Sequence, residues 1–186
     1  DNFYLISQET DLYFEYSVNE KVALETAAAA STCGLRTMCS MKHVGLNVAS
    51  DALMTLAYVG VKGGMVIVSA DDPSMHSSQN EQDNRFYAKL SLLPMFEPST
   101  PAEALAMTRE GFELSEKIGT PVLLRTTTRV NHTRGVCALG EMKERKFEGH
   151  FEKDPFRWVP VPLVARRLRP VQLDRVEKLS VLVEDM

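Results

Sequence analysis

The sequence is poor in the features that mark several large protein classes. It has only three cysteines in 186 residues, Cys33, Cys39 and Cys137, widely spaced and in no CxxC pair. That excludes a disulfide framework or an iron–sulfur cluster encoded here, and it fits a reducing cytoplasm. No apolar run approaches the roughly 20 residues that cross a bilayer, so membrane insertion is not expected. Lys and Arg (21) are outnumbered by Asp and Glu (25), a formal charge of −4, which leaves no basic face to attract nucleic acid. There is no internal repeat and no low-complexity segment. Neither an initiator Met nor a basic-then-apolar leader stands at Asp1, and the chain reads as cut from something longer.

What is present is ordinary globular composition, 44% hydrophobic and 25% charged. At this length it suits one domain with an extension. Short strand-like runs alternate with longer helix-like runs, which predicts an α/β fold: a parallel sheet with helices on both faces. Leu12–Tyr16 reads as a strand, and 17–33 as a helix closed by Gly34. Arg36–Lys42 is the next strand. After His43, the spacing of Leu46, Ala49, Leu53 and Leu56 puts them on one face of a helix that Gly60 ends. Gly64–Ala70 is a nearly continuous apolar run, as in a strand covered on both faces, and it feeds the polar loop Asp71–Asp83. Thr100, Pro101 and Glu103 supply a capping hydroxyl, a first-turn proline and a capping-box acid to a helix whose buried stripe is Ala104, Met107, Gly111, Leu114 and Ile118, stopped by Gly119. Pro121–Thr128 is a strand. Residues 1–140 then form the sheet domain, and 141–186, charged and proline-dotted with a helix around Gln172–Leu182, an arm or linker.

Open α/β sheets collect ligands at the carboxyl ends of their strands. The polar segments there are Ser17–Glu20, Met41–Gly45, Asp71–Asp83 and Arg125–Arg129. A loop as polar as Asp71–Asp83 directly after a buried strand points to a ligand or a partner. From spacing alone, Glu20 also fits a capping box begun by Ser17, where it would satisfy a backbone N–H. His43 suits either a ligand contact or a bond to a neighbouring carbonyl, with Lys42 as its companion. Asp71, Asp72, His76 and Asp83 raise a metal site and a metal-dependent hydrolase, which would require those side chains to converge, although their spacing matches no metal signature.

The strings Asn19-Glu-Lys-Val-Ala-Leu-Glu25, Met41-Lys-His-Val-Gly-Leu-Asn-Val-Ala49, Ser69 through Asp83 and Arg125-Thr-Thr-Thr-Arg-Val130 are long and unusual, and they resemble the large subunit of the indolepyruvate:ferredoxin oxidoreductases over residues 13–135. The resemblance implies the thiamine-diphosphate-binding fold, in its pyrimidine-binding form. It implies oxidative decarboxylation of an arylpyruvate, with electrons passed to ferredoxin and the acyl group to coenzyme A. On that reading Glu20 is the acid against ring nitrogen N1′ of the cofactor, and Lys42 and His43 are cofactor neighbours. His43, His76, Ser78, Gln79 and Asn80 line the substrate. No arginine occurs in the loop before Arg85, which leaves Arg125 and Arg129 as alternative carboxylate anchors. The Gly-Asp-Gly segment that binds diphosphate through Mg²⁺ and the cysteine-rich motif of 4Fe-4S clusters are absent from this sequence. The chain alone is therefore expected to be inactive, and to work with a diphosphate-binding domain, a small subunit and ferredoxin in a homo- or hetero-oligomer. A non-catalytic assembly domain of such a complex is the alternative.

Overall fold

A computed structural model of the chain describes residues 2–140 and 148–184, so the charged stretch 141–147, beside the boundary read near 140, lies outside the described residues. Its frame is a parallel sheet of β1 (Thr37–Lys42), β2 (Met65–Asp71), β3 (Met95–Phe96) and β4 (Val122–Thr127), in the order β1-β2-β4-β3. Parallel neighbours need crossovers, and helices supply them. Before β1 comes α2 (Glu20–Thr32), itself preceded by the short α1 (Asn2–Ser7). Between β1 and β2 come α3 (His43–Val48) and α4 (Ser50–Val59). The connection from β2 to β3 carries α5 (Arg85–Ser91), and that from β3 to β4 carries α6 (Pro101–Ile118).

Strand alternation sorts the core into two layers. Cys39, Met41, Met65, Ile67 and Leu123 pack against Leu24, Leu46, Leu53, Leu56 and Ala88 from α2 to α5, and against Leu93 just beyond α5. On the opposite face Val122 meets Leu114 and Ile118 of α6. Gly111 lets that helix close in, since a Cβ there would lie 3.2 Å from Val66 Cγ2. The fold is thus the α/β architecture expected, with helices on both faces of a parallel sheet.

Several local expectations are corrected. Leu12–Tyr16 is not a strand: among the described residues no sheet partner stands beside it to take its backbone hydrogen bonds. Its aromatics pair instead with one another, Phe14 with Tyr16 and with Phe3. The helix read from 17 begins at Glu20, because the capping residue is Asn19, whose side chain accepts the Val22 N–H at 3.0 Å. Ser17 donates instead to Glu15 at 2.8 Å, so no capping box forms around Glu20. The helix after His43 is two pieces meeting at Ala49 (φ −85°, ψ 3°). α5 and β3 went unread, and the strand at 121–128 gives way to a short α7 (Thr128–Asn131).

Beyond residue 148 the chain forms α8 (Pro155–Trp158) and α9 (Pro162–Glu184), the latter longer than the helix read at 172–182 and continuing through Pro170. This helix lies back on the sheet domain. Val164 and Leu168 bury against Val59, Leu179 and Leu182 join the α6 cluster, and Gln172 Nε2 donates to Ser91 O at 2.9 Å. Arg175 donates to Tyr58 O and Val59 O, at 3.2 and 3.5 Å, satisfying carbonyls at the end of α4.

Candidate cofactor and substrate site

The carboxyl ends of β1, β2 and β4 lie side by side, and each ends in a polar residue. β1 runs into α3 without a linker, so Lys42 and His43 sit at the junction. Lys42 Nζ donates to Ser77 O, and His43 Nε2 is 3.0 Å from Asn80 O, which makes Nε2 the donor. His43 is wholly buried, and its Nδ1 has no partner among the described residues. Asn47 adds a bond to Gln82 at 3.2 Å. The start of α3 therefore grips the loop 72–83 along its length.

Glu20 is the first residue of α2 and is half-buried. Its side chain lies against α3 at Gly45, where a Cβ would stand 2.5 Å from Glu20 Cγ and 2.9 Å from Oε1. Only glycine leaves room for this approach. Among the described residues the carboxylate has no hydrogen-bond or ion-pair partner, so the structural role in a capping box is not what it performs.

β2 delivers two aspartates with different neighbours. Asp71 is buried and bonded to Arg125 Nε at 2.6 Å, Ser69 Oγ at 2.9 Å and the Asn84 N–H at 3.0 Å. Arg125 also reaches Glu97 at 2.5 Å. Asn84 Nδ2 ties this network to Ser69 Oγ (2.7 Å) and His43 O (3.3 Å). Asp72 accepts from Ser78 Oγ at 2.5 Å, the Ser77 N–H at 2.8 Å, Thr128 Oγ1 at 2.8 Å and the His76 N–H at 3.2 Å. These donors, Ser78 foremost, hold its carboxyl well below the usual carboxylate range. The turn they secure carries Ser74 and Met75 in the left-handed region (φ 69° and 55°).

Pro73, His76, Thr127, Thr128 and Arg129 line a cavity of about 240 Å³ over the ends of β2 and β4. A larger cavity, about 410 Å³, opens between α2 and α4 against Phe151 and Trp158, on the helical layer rather than at the strand ends. Of the substrate liners expected, His76 faces the smaller cavity, Ser78 is bound to Asp72, the Asn80 side chain accepts from Gln82 at 2.9 Å, and Gln79 is exposed. Among the described residues no three of His, Cys, Asp and Glu gather to hold a metal. Asp71 and Asp72 are turned onto Arg125 and onto the loop, so the convergence that a metal-dependent hydrolase requires is not met. Gly45, Ser69, Asn84 and Thr128 carry the geometry and were not singled out in the sequence; Gly45, three residues into a helix, was the one legible signal.

A parallel sheet with this site at its strand ends has a counterpart of known structure. The chain superposes, over 68% of its length and 23% of that chain, on the 2-oxoglutarate:ferredoxin oxidoreductase of Magnetococcus marinus, solved with 2-oxoglutarate, coenzyme A and succinyl-CoA, at a TM-score of 0.57 and 21% identity. The fold is that of a domain of a 2-oxoacid:ferredoxin oxidoreductase. No family model matches. Curated relatives narrow the class. The chain is 56% identical to indolepyruvate oxidoreductase subunit IorA of Methanothermobacter thermautotrophicus over 97% of this chain and 29% of the relative. Against the subunit of the same name from Thermococcus kodakarensis it is 54% identical, over 96% and 28%. For that of Archaeoglobus fulgidus the figures are 51%, 95% and 28%. The resemblance read from the sequence is borne out: the chain is homologous, over nearly all its length, to a segment of indolepyruvate oxidoreductase subunits, and it spans less than a third of theirs.

Proposed function

We propose that this chain is the part of a thiamine-diphosphate-dependent 2-oxoacid:ferredoxin oxidoreductase, of the indolepyruvate type, that receives the aminopyrimidine end of the cofactor, and that Glu20 is the acid at ring nitrogen N1′. The observation that carries this reading is the Glu20 carboxylate itself, half-buried, seated over Gly45 and without a partner among the described residues. An unspent acid held by close packing at the mouth of a sheet has a job other than stability. The buried, unpartnered Nδ1 of His43, on the same helix as Gly45, is a second polar atom left for a ligand or water.

Thiamine diphosphate, when bound, would supply a nucleophilic carbon for cleavage of a 2-oxoacid next to its carbonyl, and protonation at N1′ would activate it. Glu20 holds the proton at N1′. Its first-turn position on α2 and its packing over Gly45 hold the carboxyl group in place at the β1 end of the sheet. Lys42 and His43 fix the loop that closes the substrate side, through Ser77 O and Asn80 O. The diphosphate and its Mg²⁺, the 4Fe-4S clusters and the docking of ferredoxin belong to other domains or subunits, and the acyl group leaves on coenzyme A. The chain by itself is then inactive. Free thiols at Cys33, Cys39 and Cys137 suit a cytoplasmic setting, and no described helix is long and apolar enough to cross a membrane.

The test is Glu20→Gln in the full-length enzyme assembled with its partner subunit, assayed by indolepyruvate-dependent reduction of a viologen dye. Loss of about 100-fold or more in turnover with folding intact is expected. Full activity would remove Glu20 from the chemistry and favour the assembly-domain reading, for which exposed Phe3, Tyr4, Leu5, Tyr13 and Tyr16 offer a surface.

A further inference from the structure

We infer that Arg157 and Arg175, which reach from the C-terminal helices α8 and α9 onto the turn 58–61, form a binding site for a phosphate group at the end of the sheet opposite Glu20. The inference goes beyond the function proposed above and does not depend on it.

The turn joins α4 to β2 and enters β2 at its amino end, whereas Glu20 and the loop 72–83 lie at the carboxyl ends of the strands. Two guanidinium groups converge on it from different helices. Arg157 donates to Val61 O at 2.8 Å, and its Cζ stands 4.2 Å from the centroid of the Trp158 ring, which covers one face and leaves the edges for in-plane bonds. Arg175 donates to Tyr58 O and Val59 O and lies directly on the backbone: a Cβ at Gly60 would fall 2.6 Å from its Nη2. The Val61 N–H donates to Gly119 O at 3.1 Å, which ties the turn to the end of α6.

This cluster holds a surplus of positive charge. The carboxyl end of a helix carries roughly half a negative charge, enough to draw one arginine onto the last carbonyls of α4. A second exceeds what that end can balance. Both arginines are half-buried; burial lowers the pKa of each, and the charge of Arg157 lowers that of Arg175 further. The carboxylates nearby are engaged elsewhere: Glu152 with Lys62 at 3.7 Å, Asp174 with Lys178 at 2.7 Å, and Asp154 with the Phe156 N–H at 3.0 Å as the cap of α8. Among the described residues neither arginine has a carboxylate partner. Of the N–H groups a guanidinium carries, Arg157 spends one on a carbonyl and Arg175 two, and the others remain for an anion. A planar carboxylate offers one fork and a single charge. A phosphate group offers oxygens to both guanidiniums at once and carries close to two charges, so it matches this pair better. Bound there, it holds α8 and α9 to the sheet domain.

The experiment is equilibrium dialysis of the full-length enzyme against radiolabelled inorganic phosphate, with thiamine diphosphate in excess to fill any diphosphate site. The native enzyme is expected to take up phosphate with a Kd on the order of 1 mM, and Arg157→Gln or Arg175→Gln to weaken it about 10-fold. Arg175→Lys, which keeps the charge and loses the fork, should weaken it by roughly 3-fold. Competition by glycerol 3-phosphate at similar concentration would assign the site to phosphomonoesters, and its failure to compete would assign it to the free ion. Amide exchange in α9 supplies a readout that does not rely on a variant's folding: phosphate should slow it in the native enzyme. Phosphate uptake that is equal in the native enzyme and in the double variant Arg157→Gln with Arg175→Gln, or native α9 exchange that ignores phosphate, overturns the inference. The proposed role of Glu20 stands or falls separately, on its own variant.

Discussion

Adding one methyl group at Gly45 isolates the geometry on which the functional reading depends. In Gly45→Ala the new Cβ would fall 2.5 Å from Glu20 Cγ, and ordinary contact begins at 3.4 Å, so the side chain must retreat by about 1 Å. Two terms govern stability. Alanine gains about 1 kcal/mol over glycine inside α3, and crowding costs about 1–3 kcal/mol in a rigid core. Glu20 is half-exposed and its outer bonds can rotate, so the crowding term falls at the low end and the sum stays within about 1 kcal/mol of zero. Catalysis responds differently. A displacement of about 1 Å at a group that positions a proton costs about 100-fold. The assay pairs thermal unfolding with dye-reduction kinetics of the full-length enzyme, in single and double variants. Because Gly45 acts only through Glu20, Gly45→Ala should add nothing to the loss already caused by Glu20→Gln. Turnover within about 3-fold of native, or a loss that multiplies with that of Glu20→Gln, refutes the argument.

Two further outcomes follow from the aspartates of β2. Arg125→Met strands Asp71, 2% exposed, with only Ser69 Oγ and the Asn84 N–H for company, and should lower stability by roughly 3–5 kcal/mol in urea unfolding; the pair Asp71→Asn with Arg125→Met should recover much of it, and a loss under about 1 kcal/mol in the single variant would mean that water reaches the site. Asp72 has a folded pKa below its ordinary value of 3.8, so its contribution is complete above that pH and is lost as pH falls below it toward the folded value. Amide exchange at His76 and Ser77 should therefore stay protected from pH 7 down to about 4 and lose that protection progressively as pH falls further toward the folded value, whereas Asp72→Asn should lose protection throughout; protection that fades near pH 6 would place the control in another group.

How far the sequence carried the fold depended on whether local signals and tertiary context agreed. Thr100, Pro101, Glu103 and Gly119 bounded α6 from sequence, because capping chemistry is local: Thr100 Oγ1 accepts from Glu103 N at 3.2 Å, and Gly119 stands at φ +67°. Residues 64–70 gave the central strand for the same kind of reason, an apolar run buried on both faces. Leu12–Tyr16 misled because aromatic residues fit a strand only where another strand lies alongside, which no local pattern reveals. The β3 pairing, Met95 with Leu123 and Phe96 with Leu124, is too short to leave a periodic trace. α9 was under-read because Pro170 suggested a boundary, while the contacts that carry the helix through it, from Val164 to Leu182, are long-range.

The site shows the same limit more sharply. The polarity of residues 71–83 points to a ligand or a partner, yet the structure spends much of it inward: Asp71 on Arg125, Asp72 and Ser78 on each other, Glu81 on Ser74 N, and Asn80 on Gln82 and, through its carbonyl, His43. A loop held this firmly, with Ser74 and Met75 at positive φ, needs those bonds to exist at all. Residue type cannot distinguish a carboxylate that builds the loop from one that meets a ligand, since both must be polar and both follow a buried strand. Their partners can. Once the bonds that build the walls are set aside, the Glu20 carboxylate over Gly45 and the buried Nδ1 of His43 are left without partners among the described residues, and both belong to the β1 end of the sheet, so it is there that polar atoms remain for a ligand or water to satisfy.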